Sequence, residues 1–291
     1  MSTPLSKLGF GAAQFPLDAS APVRGRSPEA EVTEIMNLAA RSGLGVFDTT
    51  HGAPHAETVI GERMPRPCPY RIMVKTGRAD RGADYIEDAA RASLRRLGLR
   101  QADAIVVQVA GDLHSAMGPE SWNRLCALRE EGVFKKIGLS VFASDDPVGL
   151  AKRFKPDLIQ APASLLDQRL LMDGSLAKIA EMGIEVQLRS IFLQGLLFLP
   201  PDRVPGPMKS AASSLSKVRR LIAEGRSDPL QAALGFALSR PEASSVLVGV
   251  TSAAELQAIV AAASHPPPDL DWNEMAIADP SAFDSKGWAA A

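Results

Sequence analysis

Polar residues close a series of short apolar runs in positions that could build one site. Asp48 follows GVF, Lys75 follows IMV, Gln108 follows IVV and Ser140 follows IGL. Gln160 follows DLI, and Arg189 and Ser190 follow VQL. An ammonium or a carboxylate buried alone is costly, so Asp48 and Lys75, if both end buried strands, are expected to pair. Such a pair either ties two adjacent strands together or holds an ammonium ready for a reacting oxygen. Two imidazoles, His51 and His55, follow in DTTHGAPHAET. They read either as general acids titrating near neutrality or as polar residues at a helix start. Their spacing is not HExxH, and Cys68 and Cys126 are the only cysteines. A thiolate zinc site and a disulfide framework are therefore excluded.

The elements that must position these groups alternate along the chain. Eight runs read as strands: 10–15, 45–50, 71–77, 103–110, 134–141, 157–163, 184–192 and 244–250. Their near-continuous apolar character suits strands buried on both faces by crossover helices. Between them lie helical patterns. Val32, Ile35, Met36, Ala39 and Ala40 form one apolar stripe, behind a Ser27-Pro28-Glu29 start and before Gly43. Helices are also expected over 83–97, 119–131, 174–182 and from Asp228-Pro229 to Arg240. Ser252 with Glu255 three residues on predicts a capping box for the last one. Eight strands with interleaved helices imply an α/β fold, a single-domain (β/α)8 TIM barrel. In such a barrel the chemistry sits at the carboxyl ends of the strands, where the polar residues fall. The segment 196–226 is expected to be an extended loop over the barrel mouth, with a short helix at 209–221. The proline-rich tail from about 264 is expected to drape over the surface or fray.

Composition narrows the classes of function. The chain has 291 residues, 46% of them apolar, with 32 Lys plus Arg against 33 Asp plus Glu and a formal charge of -1. That balance offers no electrostatic footprint for nucleic acid or an anionic membrane surface. No run is long and unbroken enough to span a membrane, and MSTPLSKLGFG does not read as a secretory signal. A soluble, cytoplasmic protein is expected. After the first strand the chain reads FPLDASAPVRGR, so the glycine-rich turn of an open dinucleotide-binding sheet is missing.

The order and spacing of several segments resemble the aldo/keto reductase family, in particular its bacterial sugar-dehydrogenase-like branch. They are LGFGAAQF (8–15), GVFDTTHGAPHAETVIG (45–61), VKTG (74–77) and KKIGLSVF (135–142). DLIQAPASLLDQR (157–169), RSIFLQGLL (189–197) and VLVGVTSAAEL (246–256) complete the set. The resemblance implies a (β/α)8 barrel that binds NADP or NAD and transfers hydride to or from a carbonyl carbon. It implies four catalytic residues: an Asp, a Tyr, a Lys and a His. Asp48 and Lys75 match the first and third of these pairings of role and motif. The usual Tyr-Gly is replaced by Ala53-Pro54, and the His by Gln108.

Alanine has no proton to give, and positioned proton transfer is worth roughly two to four orders of magnitude in rate. His51, His55 or Lys75 would have to supply the proton, with Gln108 as a hydrogen bonder to the substrate oxygen. The resemblance also implies a cofactor site. Ser140, Gln160, Arg189 and Ser190 would lie at the nicotinamide, and Gln194, Gly195 and Leu196 beside the pyrophosphate. Gly249, Thr251, Ser252 and Glu255 would lie at the adenosine-phosphate end, whose helix amides could receive a phosphate. Thr251 stands where many members carry a basic residue against the 2'-phosphate. The expected function is an NAD(P)-dependent oxidoreductase for a small carbonyl compound or sugar, with a degenerate catalytic tetrad. The alternative is a non-catalytic barrel that binds a ligand or partner protein. Substrate, nucleotide preference and oligomeric state are left open by the sequence.

Overall fold

The computed structural model describes residues 4–15, 28–50, 54–204, 211–277 and 283. Eight parallel strands close into a barrel in chain order. They are β1 Leu8–Gly11, β2 Val46–Asp48, β3 Arg71–Lys75, β4 Ala102–Val107, β5 Phe134–Ser140, β6 Leu158–Pro162, β7 Glu185–Arg189 and β8 Ala243–Gly249. β1 pairs with β2 and with β8, so no edge is left open. The first strand begins two residues before its expected position, and Ala12–Gln14 is a short 3-10 turn instead. The expected alternation of strand and helix is otherwise the observed one.

The helices are α1 Pro28–Arg41, α2 Pro54–Arg63, α3 Ala83–Arg96, α4 Gly118–Glu130 and α5 Pro147–Phe154. They continue as α6 Arg169–Met172, α7 Ser175–Glu181, α8 Ala212–Glu224, α9 Pro229–Leu238 and α10 Ala253–Ala263. The stripe on α1 turns Val32, Ile35, Met36 and Ala39 inward, all fully buried. Gly43 ends that helix at φ +73, a conformation that costs glycine little. Ser27 lies outside the described residues.

Two connections differ from expectation in part. The segment 196–226 carries the expected helix, shifted from 209–221 to Ala212–Glu224. Ahead of it lie 3-10 turns at Leu193–Phe198, which begins before the segment, and Pro201–Arg203, and α8 is a full helix of 13 residues that buries Leu215, Val218 and Ile222. The tail does not simply drape. Met275, Ile277 and Phe283 are buried, the Ile277 N–H donates to the Leu166 carbonyl, and Gln168 Nε2 donates to the Trp272 carbonyl at 2.6 Å. Apolar residues among the prolines give the tail something to bury, which the proline content alone conceals.

Side chains alternate across each strand, so Arg71, Met73 and Lys75 share one face of β3, and Glu185, Gln187 and Arg189 one face of β7. The outward faces pack on the helices in one large apolar cluster. A smaller one, Val46, Met73, Ala104, Val106, Leu158 and Leu247, fills the barrel interior. Gly138 makes room there, since a Cβ at that position would fall 2.5 Å from Leu158 Cδ1. The rest of the interior is polar, and that polar column positions the site.

Candidate active site

β2 and β3 are neighbours in the barrel and carry Asp48 and Lys75 at their carboxyl ends. Lys75 Nζ lies 2.9 Å from Asp48 Oδ1, and both side chains are largely buried. Burial pulls the Lys75 pKa down; the Asp48 carboxylate pushes back, and the Arg189 charge adds to the lowering. The ammonium also donates to Gln160 Oε1 on β6. Gln160 Nε2 in turn donates to Asp48 Oδ1 at 2.9 Å and to Gln187 Oε1 at 3.0 Å. Two of the three ammonium hydrogens are thus engaged. The third has no partner among the described residues and could meet an oxygen arriving from above.

Above the pair opens a cavity of about 510 Å³, within the range of roughly 300–1,000 Å³ usual for small-molecule sites. Asp48, Lys75 and Gln108 line it. So do Ser140, Arg189, Ser190 and Gly195 on one side, and Gly249, Thr251 and Glu255 on the other. Gln160 lies beneath, fully buried and bonded to both members of the pair. Leu196 packs into the core, Ser252 caps α10, and neither lines the cavity. Gln194 belongs to the 3-10 turn Leu193–Phe198. His55 is exposed on α2 and is not among the lining residues. His51 and Ala53 lie outside the described residues.

Other walls of the cavity lie outside the residues expected from the sequence. Phe142, Phe192 and Phe198 give it an apolar side, and Gln14 and Thr49 give it polar points. Their signal was weak, because loop residues carry no periodicity. Gln187 was legible in principle: it alternates with Arg189 in EVQLR and therefore shares its face.

Two lining side chains carry buried polar atoms with no hydrogen-bond partner among the described residues, Thr49 Oγ1 and Arg189 Nε. An orphaned buried polar group costs about 1–3 kcal/mol, so both positions suit polar atoms of a ligand. The rest of the Arg189 guanidinium is engaged: Nη2 donates to the Val141 carbonyl at 2.7 Å and Nη1 to Ser190 Oγ at 3.2 Å. The guanidinium carbon lies 5.0 Å from the centre of the Phe142 ring. Burial lowers the Arg189 pKa against the opposing charges of Asp48 and Asp145. The chain just beyond is strained. Ser190 and Leu193 hold φ of 60° and 46°, values that side-chain-bearing residues seldom adopt, and both line the cavity.

The far end of the cavity is a helix start where the Thr251, Ala253 and Glu255 amides are already engaged. Ser252 Oγ accepts from the Glu255 N–H. The Glu255 carboxylate does not close the expected capping box on Ser252; it accepts from the N–H and hydroxyl of Thr251, at 2.7 and 2.9 Å. The Ala253 N–H donates at 2.6 Å to the buried Glu31 carboxylate of α1. Two carboxylates, Glu31 and Glu255, therefore stand at the start of α10. The donors at the floor and walls could hold the polar atoms of a nucleotide, whereas the two carboxylates at the α10 start oppose an additional phosphate dianion.

Comparison with known proteins agrees with this architecture. A profile of the aldo/keto reductase family matches residues 7–279. L-galactose dehydrogenase of Arabidopsis thaliana is 27% identical over 280 residues, covering 90% of this chain and 85% of that protein. An aldo-keto reductase of Mycobacterium sp. (strain MCS) is 32% identical over 126 residues, 42% of this chain and 44% of its own. The solved structure of an aldo-keto reductase from Bacillus halodurans, in its holo form, superposes with a TM-score of 0.74 at 23% identity. It covers 92% of this chain and 89% of its own, a likeness of fold. The profile spans the barrel from the first strand into the anchored tail, and on that match the chain belongs to the aldo/keto reductase family.

Proposed function

We propose that this chain is a nicotinamide-dependent oxidoreductase, acting on a small carbonyl compound or sugar, in which Lys75 is the proton donor. The observation that carries the reading is the Asp48–Lys75 pair at the floor of the cavity, with one ammonium hydrogen uncommitted among the described residues. Ser140, Arg189 and Ser190 would hold the nicotinamide end, and Gly195 the phosphate bridge. Bound reduced nicotinamide would supply the hydride. As negative charge gathers on the substrate oxygen, Lys75 Nζ donates a hydrogen bond and then its proton, becoming a neutral amine. Asp48 keeps the ammonium charged until that moment, and the amine recovers its proton from solvent through the open cavity. Gln108 on the cavity wall offers an amide hydrogen to the same oxygen. Burial favours this division of labour, because it lowers the Lys75 pKa from a value too high for an efficient acid near neutrality.

His55 is a poorer donor on these grounds, being exposed on α2. His51 stays the rival. The test is steady-state oxidation of NADH and NADPH across small aldehydes, ketones and aldoses, L-galactose among them because of the relative that bears its name. Wild type is expected to turn over at least one of these. Lys75→Met should lower kcat by roughly 10²–10⁴-fold with nucleotide affinity largely kept, while His51→Ala leaves kcat within a few fold. A large loss in His51→Ala with Lys75→Met unaffected would move the proton to the imidazole. No turnover by folded, nucleotide-bound wild type would end the enzymatic reading. Failure to bind either nucleotide would favour a non-catalytic barrel.

A further inference from the structure

The hydrogen bonds beneath Lys75 continue to the opposite end of the barrel, and their polarity is fixed throughout. Gln187 Nε2 donates to Glu185 Oε1 at 3.2 Å and approaches Met73 Sδ at 3.9 Å. Gln187 Oε1 accepts from Gln160 Nε2, and Gln160 Oε1 accepts from Lys75. Both amides are fully buried, so no solvent competes for these bonds. Neither can turn over. A reversed Gln160 would set its NH₂ against the Lys75 ammonium and its carbonyl against the Asp48 carboxylate. A reversed Gln187 would set its carbonyl against Glu185. Glu185 is itself pinned as an anion, by Arg71 at 3.0 Å and Lys136 at 2.5 Å. Burial raises its pKa, but the Lys136 hydrogen bond and the Arg71 and Lys136 charges outweigh that and leave it below the usual carboxylate value.

We propose that Glu185 and Gln187 are positioning residues, a relay of fixed polarity that aims the Gln160 carbonyl at Lys75 from the far end of the barrel. The inference rests on reading Lys75 as the proton-bearing group. The relay moves no proton, because neither amide titrates. It orients, and aligned hydrogen bonds inside a low-dielectric interior strengthen one another. The charged groups facing Lys75 are Asp48 of β2 and Arg189 of β7; β4 presents Val106 opposite it in register. With those two charges constant, the Gln160 carbonyl is the remaining contact that favours the ammonium over the amine.

The experiment is competitive labelling of the full-length protein with acetic anhydride over a range of pH, followed by mass spectrometry of the peptide carrying Lys75. It reads the midpoint of Lys75 without requiring nucleotide or turnover, so it stands apart from the fate of the reductase reading. Gln187→Met keeps the side-chain length and removes both ends of the relay. Its Lys75 midpoint is expected to fall by roughly half a pH unit or more, about threefold in the ratio of ammonium to amine. Gln187→Glu restores an acceptor toward Gln160 and, when protonated, a donor toward Glu185, so its midpoint is expected at or above that of wild type. A wild-type midpoint in folded Gln187→Met overturns the relay. Should the methionine variant not fold, Gln187→Leu replaces it with the same two outcomes.

Discussion

At the scale of single residues, the site turns on what burial does to one ammonium. Lys75 has its pKa lowered chiefly by desolvation, against the pull of Asp48. Reduction needs the protonated form, so its rate is expected to fall as pH rises through the Lys75 midpoint, which lies below the ordinary lysine value of about 10.4. Oxidation of the alcohol needs the neutral amine and should rise over the same range. Asp48→Asn removes the group that favours the ammonium, so the limb of the reduction profile should move to lower pH, as steady-state rates across pH would reveal. A limb that stays in place would take the proton away from Lys75. The pair itself was legible in the sequence because lone buried charges are costly, and two strand ends offered one of each sign. The proton donor was not legible. Replacement of the tyrosine left several candidate acids, and only burial and hydrogen-bond geometry separate Lys75 from the exposed His55.

At the scale of elements, the start of α10 is what would discriminate between NADH and NADPH on the proposed function. A free helix start attracts phosphate. This one is occupied by Glu255, bonded to Thr251, and by Glu31 reaching across from α1. With the adenosine end of the nucleotide placed there, a 2'-phosphate would meet two carboxylates, and the Ala253 and Glu255 amides are already engaged. NADH is therefore expected to bind at least roughly tenfold more tightly than NADPH, about 1.4 kcal/mol. Glu255→Arg should narrow or reverse the ratio. Titration followed by the emission of the reduced nucleotides measures both, and equal affinity of wild type for the two would refute the argument. Most strands and helices were readable because apolar runs and glycine stops mark them locally, as at Gly43. The use of the α10 amides was not, since Glu31 lies far away in sequence and nothing local announces it. Ser252 and Glu255 in the sequence suggest a standard box; the bond to Thr251 depends on the carboxylate's actual reach.

At the scale of the whole molecule, the barrel carries a polar column where barrels of this type usually stack branched apolar side chains. Its interior apolar cluster is small, and stability rests mainly on the layer between sheet and helices. An ion pair in such an interior need not stabilise the fold, because desolvation offsets much of the attraction. Lys75→Gln alone strands the Asp48 carboxylate and is expected to cost about 3–5 kcal/mol, with a comparable loss for Asp48→Asn. The double variant Asp48→Asn/Lys75→Gln leaves neutral amides able to bond one another and Gln160. It should recover most of that loss while remaining inactive, as urea unfolding and assay together would measure. A double variant as unstable as the sum of the singles would mean that the pair serves to hold β2 to β3.

The dependence of stability on pH supplies an independent check. In the unfolded chain lysine keeps its proton to about pH 10.4, but folded Lys75 releases it earlier. Between those two values the unfolded state binds more protons, so stability rises with pH; below them the full burial penalty applies. Tyr70, Cys68 and Cys126 have raised pKa values and act with the opposite sign at alkaline pH. The difference between wild type and the double variant cancels them and isolates Lys75. That difference should shift in favour of wild type as pH rises toward 10. A flat difference would show that folding leaves the Lys75 proton no easier to remove, and the ammonium would then be a strut rather than an acid.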